Sequence, residues 1–177
     1  SVNTSGSDAV TGVGGGAGAI VLTANHATTP SVTLAGDIAA DGGDGTTTRG
    51  SGGNITVTGP VTLAADITVS NPRGAGTTGG TARTILFSGA TTTIDSDATA
   101  RSLTVSGGVN AVTFGGAIGQ ASTGAQGLES LTVNTTGTTS LGGNIRTADV
   151  AGNNVSFSGP VTLTNNATIL TDRATND

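Results

Sequence analysis

The sequence predicts an all-β chain, a parallel β-helix (β-solenoid) with polar loop inserts, and three observations predict it. NITVTGPVTL at 54–63 returns as NVSFSGPVTL at 154–163, with six of ten positions identical and every other position exchanging apolar for apolar or hydroxyl for hydroxyl. Apolar residues stand at every second place within these and many other short runs, which is the period of a strand with one buried and one wet face. With 31 Gly, three Phe and no Trp, Tyr, Met or Cys, the chain cannot fill an ordinary core of large side chains. Stacked short strands can stabilise it instead, because each coil closes its hydrogen bonds on the next and small apolar side chains pile in narrow files. Disorder shares the taste for Gly, Ser and Thr but lacks such files.

Taken in order, residues 1–18 show no sustained alternation, and Gly14-Gly15-Gly16 marks a loop. They are read as a flexible lead-in to a solenoid segment at 19–177 that contains a 100-residue repeat, 54–153, restarting at 154. Strands are expected at 19–23 (AIVLT), 31–34 (SVTL) and 37–39, then a polar insert at 41–53. The repeated unit follows. Its Gly59-Pro60 step makes a corner, since Gly supplies unusual backbone angles and Pro fixes φ and removes a donor. Beyond DITVS at 66–70 lies a second insert at 71–82, then strands at 84–88, 91–94, 101–106, 109–114 and around Ile118. A third insert, 120–127, precedes strands at 130–135, 138–141 and 144–147. Inserts of this kind bulge from one edge without breaking a stack.

On this reading the coils start at Ile20, Ile55, Ile85, Leu103, Leu131 and Val155, at intervals of 35, 30, 18, 28 and 24 residues. The interior is expected to hold Ile20, Leu22, Ile55, Val57, Val61, Leu63, Ile67, Val69, Ile85, Phe87, Leu103, Val105, Val112, Phe114, Leu131, Val133, Val155, Phe157, Val161 and Leu163. Truncating Phe157 to Ala is then expected to cost about 3–5 kcal/mol. Neither end shows a helix or a charged strand to cover the terminal coil. The expectation is a segment of something longer, or a chain that stacks end to end on copies of itself.

Charge narrows the function classes. The net charge is −5, there is no Lys, and the six Arg residues are scattered, so no basic stripe exists to neutralise phosphates and nucleic acid is not an expected partner. No run approaches the roughly 20 apolar residues of a membrane-spanning helix, and the alternating runs are shorter than barrel strands of about 9–11 residues. Membrane insertion is not expected. Ser1 opens no signal-peptide pattern, which suggests a mature or excised piece. The lack of Cys removes disulfides and thiolate metal sites and fits an extracellular protein.

Few residues offer chemistry. His26 is the single histidine and has no neighbouring partner to orient it as a base. Asp41 and Asp44, in DGGDG, echo the spacing of calcium-binding β-rolls, and are the only metal candidates, with an acidic solvated loop as the alternative. No other cofactor is expected. Asp95 and Asp97 could form a carboxylate pair for glycoside cleavage, but they are expected where a strand ends, which favours a coil corner. Outward threonines at 56, 58, 62, 68, 104, 113, 132 and 162 could present a hydroxyl lattice of the kind that binds ice. Coil lengths varying from 18 to 35 residues count against a registered lattice, leaving Thr as a strand former that bonds to its neighbours along the stack. Sequons at Asn54, Asn134, Asn154 and Asn166 arise by chance in so Asn- and Thr-rich a chain.

The phrases VTFGGAIG at 112–119, SLTVNTTGTTSLGGNI at 130–145 and SGPVTLTNNATI at 158–169 resemble the tandem repeats of large bacterial surface proteins of the filamentous haemagglutinin type. The likeness runs over about residues 50–172. It implies a right-handed parallel β-helix forming the shaft of an exported adhesin or surface fibre, located at the bacterial cell surface or outside it, and it implies no catalytic residues. The functional expectation is therefore a non-enzymatic shaft that associates with itself or with adjoining repeats. Two alternatives stand beside it: a module that binds carbohydrate or a host surface through 41–53, 71–82 and 120–127, and a polysaccharide-cleaving β-helix enzyme.

Overall fold

The computed structural model describes residues 1–24, 31–81, 83–89, 93–119, 127–148 and 153–171. His26 and the third insert up to residue 126 lie outside these. The strands, taken coil by coil, are β1 (Val2–Asn3), β2 (Ile20–Thr23) and β3 (Val32–Leu34); β4 (Ile38–Ala39), β5 (Thr48–Arg49), β6 (Ile55–Thr58) and β7 (Val61–Leu63); β8 (Ile67–Ser70), β9 (Thr78–Gly79), β10 (Ile85–Ser88) and β11 (Ile94–Ser96). Then come β12 (Ser102–Gly108) and β13 (Val112–Phe114); β14 (Ser130–Thr135), β15 (Thr139–Leu141) and β16 (Ile145–Arg146); β17 (Asn154–Phe157), β18 (Val161–Leu163) and β19 (Ile169–Leu170).

Every pairing between these strands is parallel, and three faces result. The first is the six-stranded order β1-β4-β8-β12-β14-β17; the second, also six-stranded, is β2-β6-β10-β13-β15-β18. The third runs β3-β7-β11, passes through single bridges Ile94 to Ile118 and Ile118 to Ile145, and ends on β16-β19. The chain is a parallel β-helix, as the sequence predicts. Six coils at about 4.8 Å spacing give a column on the order of 24 Å along its axis.

Alternation buries one side of each strand. Ile55, Val57, Val61, Leu63, Ile67, Val69, Leu103, Val105, Leu131 and Val133 line the interior, and the rings of Phe87 and Phe114 stack there with centroids 5.3 Å apart and planes 7° from parallel. Third-face residues missing from the expected interior, Leu34, Ile94, Ile118 and Ile145, are buried too, as are Ile38, Leu128 and Leu141. Five expected members are less covered. Leu22, Val155 and Phe157 are half-buried against the core, while Val161 and Leu163 are 41% and 55% exposed. Leu22 lies on the first described coil and the others on the last, so among the described residues their inward sides have a neighbouring coil in one axial direction only.

The coil phasing differs from the expected one. Ile20, Ile55 and Ile85 share the second face and continue to Val112, whereas Leu103, Leu131 and Val155 belong to the first face with Ile67. The 18-residue interval between Ile85 and Leu103 therefore crosses faces and is no coil. For the same reason the two copies of the decapeptide occupy different corners: β6 to β7 turns from second face to third, and β17 to β18 from first face to second. What recurs over 100 residues is a strand, a corner and a strand, set at different points of the circuit.

Order also begins earlier than expected. Val2 and Asn3 pair with Ile38 and Ala39, so the lead-in is the first coil. Its 5–18 segment, together with 41–53 and 71–81, leaves the column between the first and second faces, and the three stack on one another. Thr48 pairs with Thr78 and bridges Val13. Main-chain bonds zigzag through the stack: Gly15 N–H to Ser7 carbonyl, Gly43 to Gly15, Gly50 to Gly43 and Gly74 to Gly50, at 2.8 to 3.1 Å. The inserts thus form one lobe, held by backbone with almost no side chains inside.

Candidate functional site

The side chains that hold the coils together are corner Asp and Asn residues. A residue just before a strand places its side-chain oxygen under the N–H of its register partner in the next coil. Asp37 accepts from Thr68 N–H at 2.7 Å, Asn54 from Thr84 at 3.1 Å, Asp66 from Ser102 at 3.0 Å and Asn144 from Thr168 at 2.9 Å. The side-chain oxygen takes the place of a ladder carbonyl at these exposed corners, where the N–H would otherwise turn to water. Asp or Asn followed by Ile or Val, as at 37, 54, 66, 144 and 154, is the sequence signal for these residues.

Asp44 belongs to the same scheme. Its Oδ1 accepts from Ala75 N–H at 2.6 Å, and its own N–H donates to Asp8 Oδ1 at 2.8 Å. The main-chain N–H of Asp41 donates to Ser5 Oγ at 3.1 Å, and its Oδ1 is buried without a hydrogen-bond partner. Among the described residues no three His, Cys, Asp or Glu side chains gather closely enough to hold a metal ion. The Asp44 carboxylate is committed to the axial ladder of the lobe.

Of the two carboxylates Asp95 departs from expectation, whereas Asp97 stands at a strand end as expected. Asp95 lies within β11, in register with Thr62, rather than beyond a strand end. Asp97 follows the strand and receives both Nε and Nη2 of Arg101, at 3.1 and 3.0 Å. That paired bond, with a second from Thr99 N–H, holds the Asp97 carboxyl below its ordinary value. A general acid in glycoside cleavage needs the opposite shift.

Inside the corner between the first and second faces a polar ladder climbs three coils. Asn71 Nδ2 donates to the carbonyls of Gly53 and Thr84 at 2.9 and 3.2 Å; Asn110 Nδ2 donates to the carbonyl and Oδ1 of Asn71 at 2.8 and 3.0 Å. Thr135 Oγ1 in turn donates to the Asn110 carbonyl. All three side chains are buried. Sequence reasoning missed them because a buried Asn interrupts no apolar alternation.

Two surfaces remain. The axial ends present apolar side chains: Val161, Leu163, Ile169 and Leu170 at one, and at the other a recess of about 240 Å³ lined in part by Val2, Leu22, Val32 and Leu34. The outward side of the first face carries hydroxyl and amide groups in register. Comparison with protein-family models, curated proteins and solved structures returns no match.

Proposed function

We propose that this chain is a structural shaft segment of a secreted or cell-surface bacterial adhesin or fibre, whose work is mechanical reach and which is extended by further coils, from its own chain or from a second copy. The observation that carries the reading is the axial continuity of the three faces, each coil bonded in parallel register to the next. A coil laid on β17, β18 and β19 would cover Val161, Leu163 and Ile169 and pair the open N–H and C=O groups of the last strands. Parallel stacking resists pulling along the fibre because side-chain files and ladder bonds yield together. Calcium at Asp41 and Asp44 is not needed for this reading. The likeness of 112–119, 130–145 and 158–169 to filamentous haemagglutinin-type repeats supports the same role.

Electron microscopy of the purified protein tests it. Fibres of constant width that lengthen with protein concentration are the expected result; compact particles at every concentration count against self-association. A second reading, a binding module, is favoured by the lobe, whose tips expose Val10, Thr46, Thr47 and Thr77. Retention on a glycan array that is lost when 41–53 and 71–81 are shortened would favour it.

A further inference from the structure

We propose that the outward side of the first face binds the surface of crystalline water. Variable coil length does not disturb register on this face, because inserts at the corners absorb the difference. Thr68, Thr104, Thr132 and Ser156 stand directly above one another on β8, β12, β14 and β17. A flanking column runs Ser70, Ser106, Asn134, and the one irregularity, between Ser106 and Gly108, falls beyond the central column. Rows are about 4.8 Å apart and columns about 6.7 Å, a rectangular net of hydroxyls and one amide fixed by strand geometry.

Three properties define the ligand. The hydroxyls of Thr68, Thr104 and Thr132 make no hydrogen bond within the described residues, unlike Thr58 on the second face, which bonds Ser88 at 2.8 Å. They are therefore free to bond outward. The Thr, Ser and Asn members of the two columns carry no charge; the carboxylates Asp37, one coil before Thr68 in the central column, and Asp66 and Glu129 border them without a basic partner in the columns, so anionic polymers have no counterpart here. The outward side has no aromatic ring, since Phe157 on β17 is in register with the buried Val133 and packs against the core, and this argues against stacked sugar rings. It is not apolar, so it does not suit a protein hot spot. What fits is an extended, neutral, regularly spaced array of hydrogen-bonding groups. Stiff β-branched side chains over the buried Ile67, Leu103 and Leu131 need no reordering on binding, so individually weak contacts act together.

The test is partition into a slowly grown ice front, using the full chain, together with inhibition of ice recrystallisation. The wild type is expected to be enriched in ice. Thr104→Lys with Thr132→Lys is expected to lose that enrichment, and Thr62→Lys on the third face to keep it. Exclusion of the wild type from ice overturns the proposal, as does equal enrichment of the double variant; retention on crystalline cellulose without ice binding overturns it in favour of a glycan. Far-UV circular dichroism establishes folding first. If the Lys pair fails to fold, Thr104→Tyr with Thr132→Tyr keeps strand propensity, stands proud of the plane, and is expected to show the same loss. The outcome is independent of whether the chain forms fibres.

Discussion

Asn110 donates from one amide nitrogen to both the main-chain carbonyl and the side-chain oxygen of Asn71, at 2.8 and 3.0 Å, with both residues fully buried. Asn110 Oδ1 also accepts from Arg83 N–H at 2.7 Å. Replacing Asn110 with Ala leaves the two Asn71 oxygens buried and without these donors, at about 1–3 kcal/mol for each group, while the N–H of the exposed Arg83 can turn to water. A lowered midpoint in urea with an unchanged slope is the expected result; an unmoved midpoint would mean that water reaches this corner.

The aromatic residues separate by position. Phe87→Ala or Phe114→Ala breaks the interior stack and is expected to cost about 3–5 kcal/mol. Phe157, half-buried on the last coil, is expected to cost clearly less in dilute protein. If a second copy covers that coil, the Phe157→Ala penalty grows with protein concentration while the Phe87→Ala penalty does not. Thermal melts over a concentration series measure both.

These particulars show what was legible in the sequence. Period-two alternation and the Gly-Pro corners identify the architecture and most of the buried residues on the first and second faces. Strands are expected near every third-face position, but the inward residues Leu34, Ile94, Ile118 and Ile145 are absent from the expected interior, because strands as short as Ile145–Arg146, or a single bridging residue such as Ile118, are too brief to show which side turns inward. Phasing failed for a related reason: a strand, a corner and a strand look alike at every corner, so Asn54 and Asn154 begin similar units on different faces. The lobe was invisible because backbone packing leaves only glycine as its signature, which reads equally as a loop. Coil length argues against a registered hydroxyl net in the sequence, whereas in the structure the inserts and not the strands carry that variation.

The lobe gives a sharp test of that packing. A Cβ at Gly43 would fall on the carbonyl of Ser7, and one at Gly50 on the carbonyl of Gly15. Backbone cannot yield as a flexible side chain does, so Gly43→Ala is expected to cost at least about 1–3 kcal/mol. Limited proteolysis is expected to cut within 41–53 faster than in the wild type, with the second-face strands still protected.

Acid titration isolates the Asp97 and Arg101 pair. Because the Arg101 hydrogen bonds lower the Asp97 carboxyl below 3.8 in the folded chain, the stability it contributes is present above that value and is lost as pH falls through the depressed one. Both side chains are about a third exposed, at 28% and 33%, so the effect is expected to be small and to shrink with salt. Carbon-detected NMR titration is expected to place the Asp97 midpoint below 3.8, and Arg101→Gln to move it upward.

The most direct measurement of the coiled column is the distance between spin labels at Val21→Cys and Thr162→Cys, in a chain with no native cysteine. Both positions face outward on the second face, on β2 and β18, its first and last strands. Five strand spacings separate them, so a single narrow distribution centred near about 24 Å is expected, widened only by the label linkers. A distance near the roughly 10 Å of two packed sheets, or a broad distribution, would contradict the parallel β-helix.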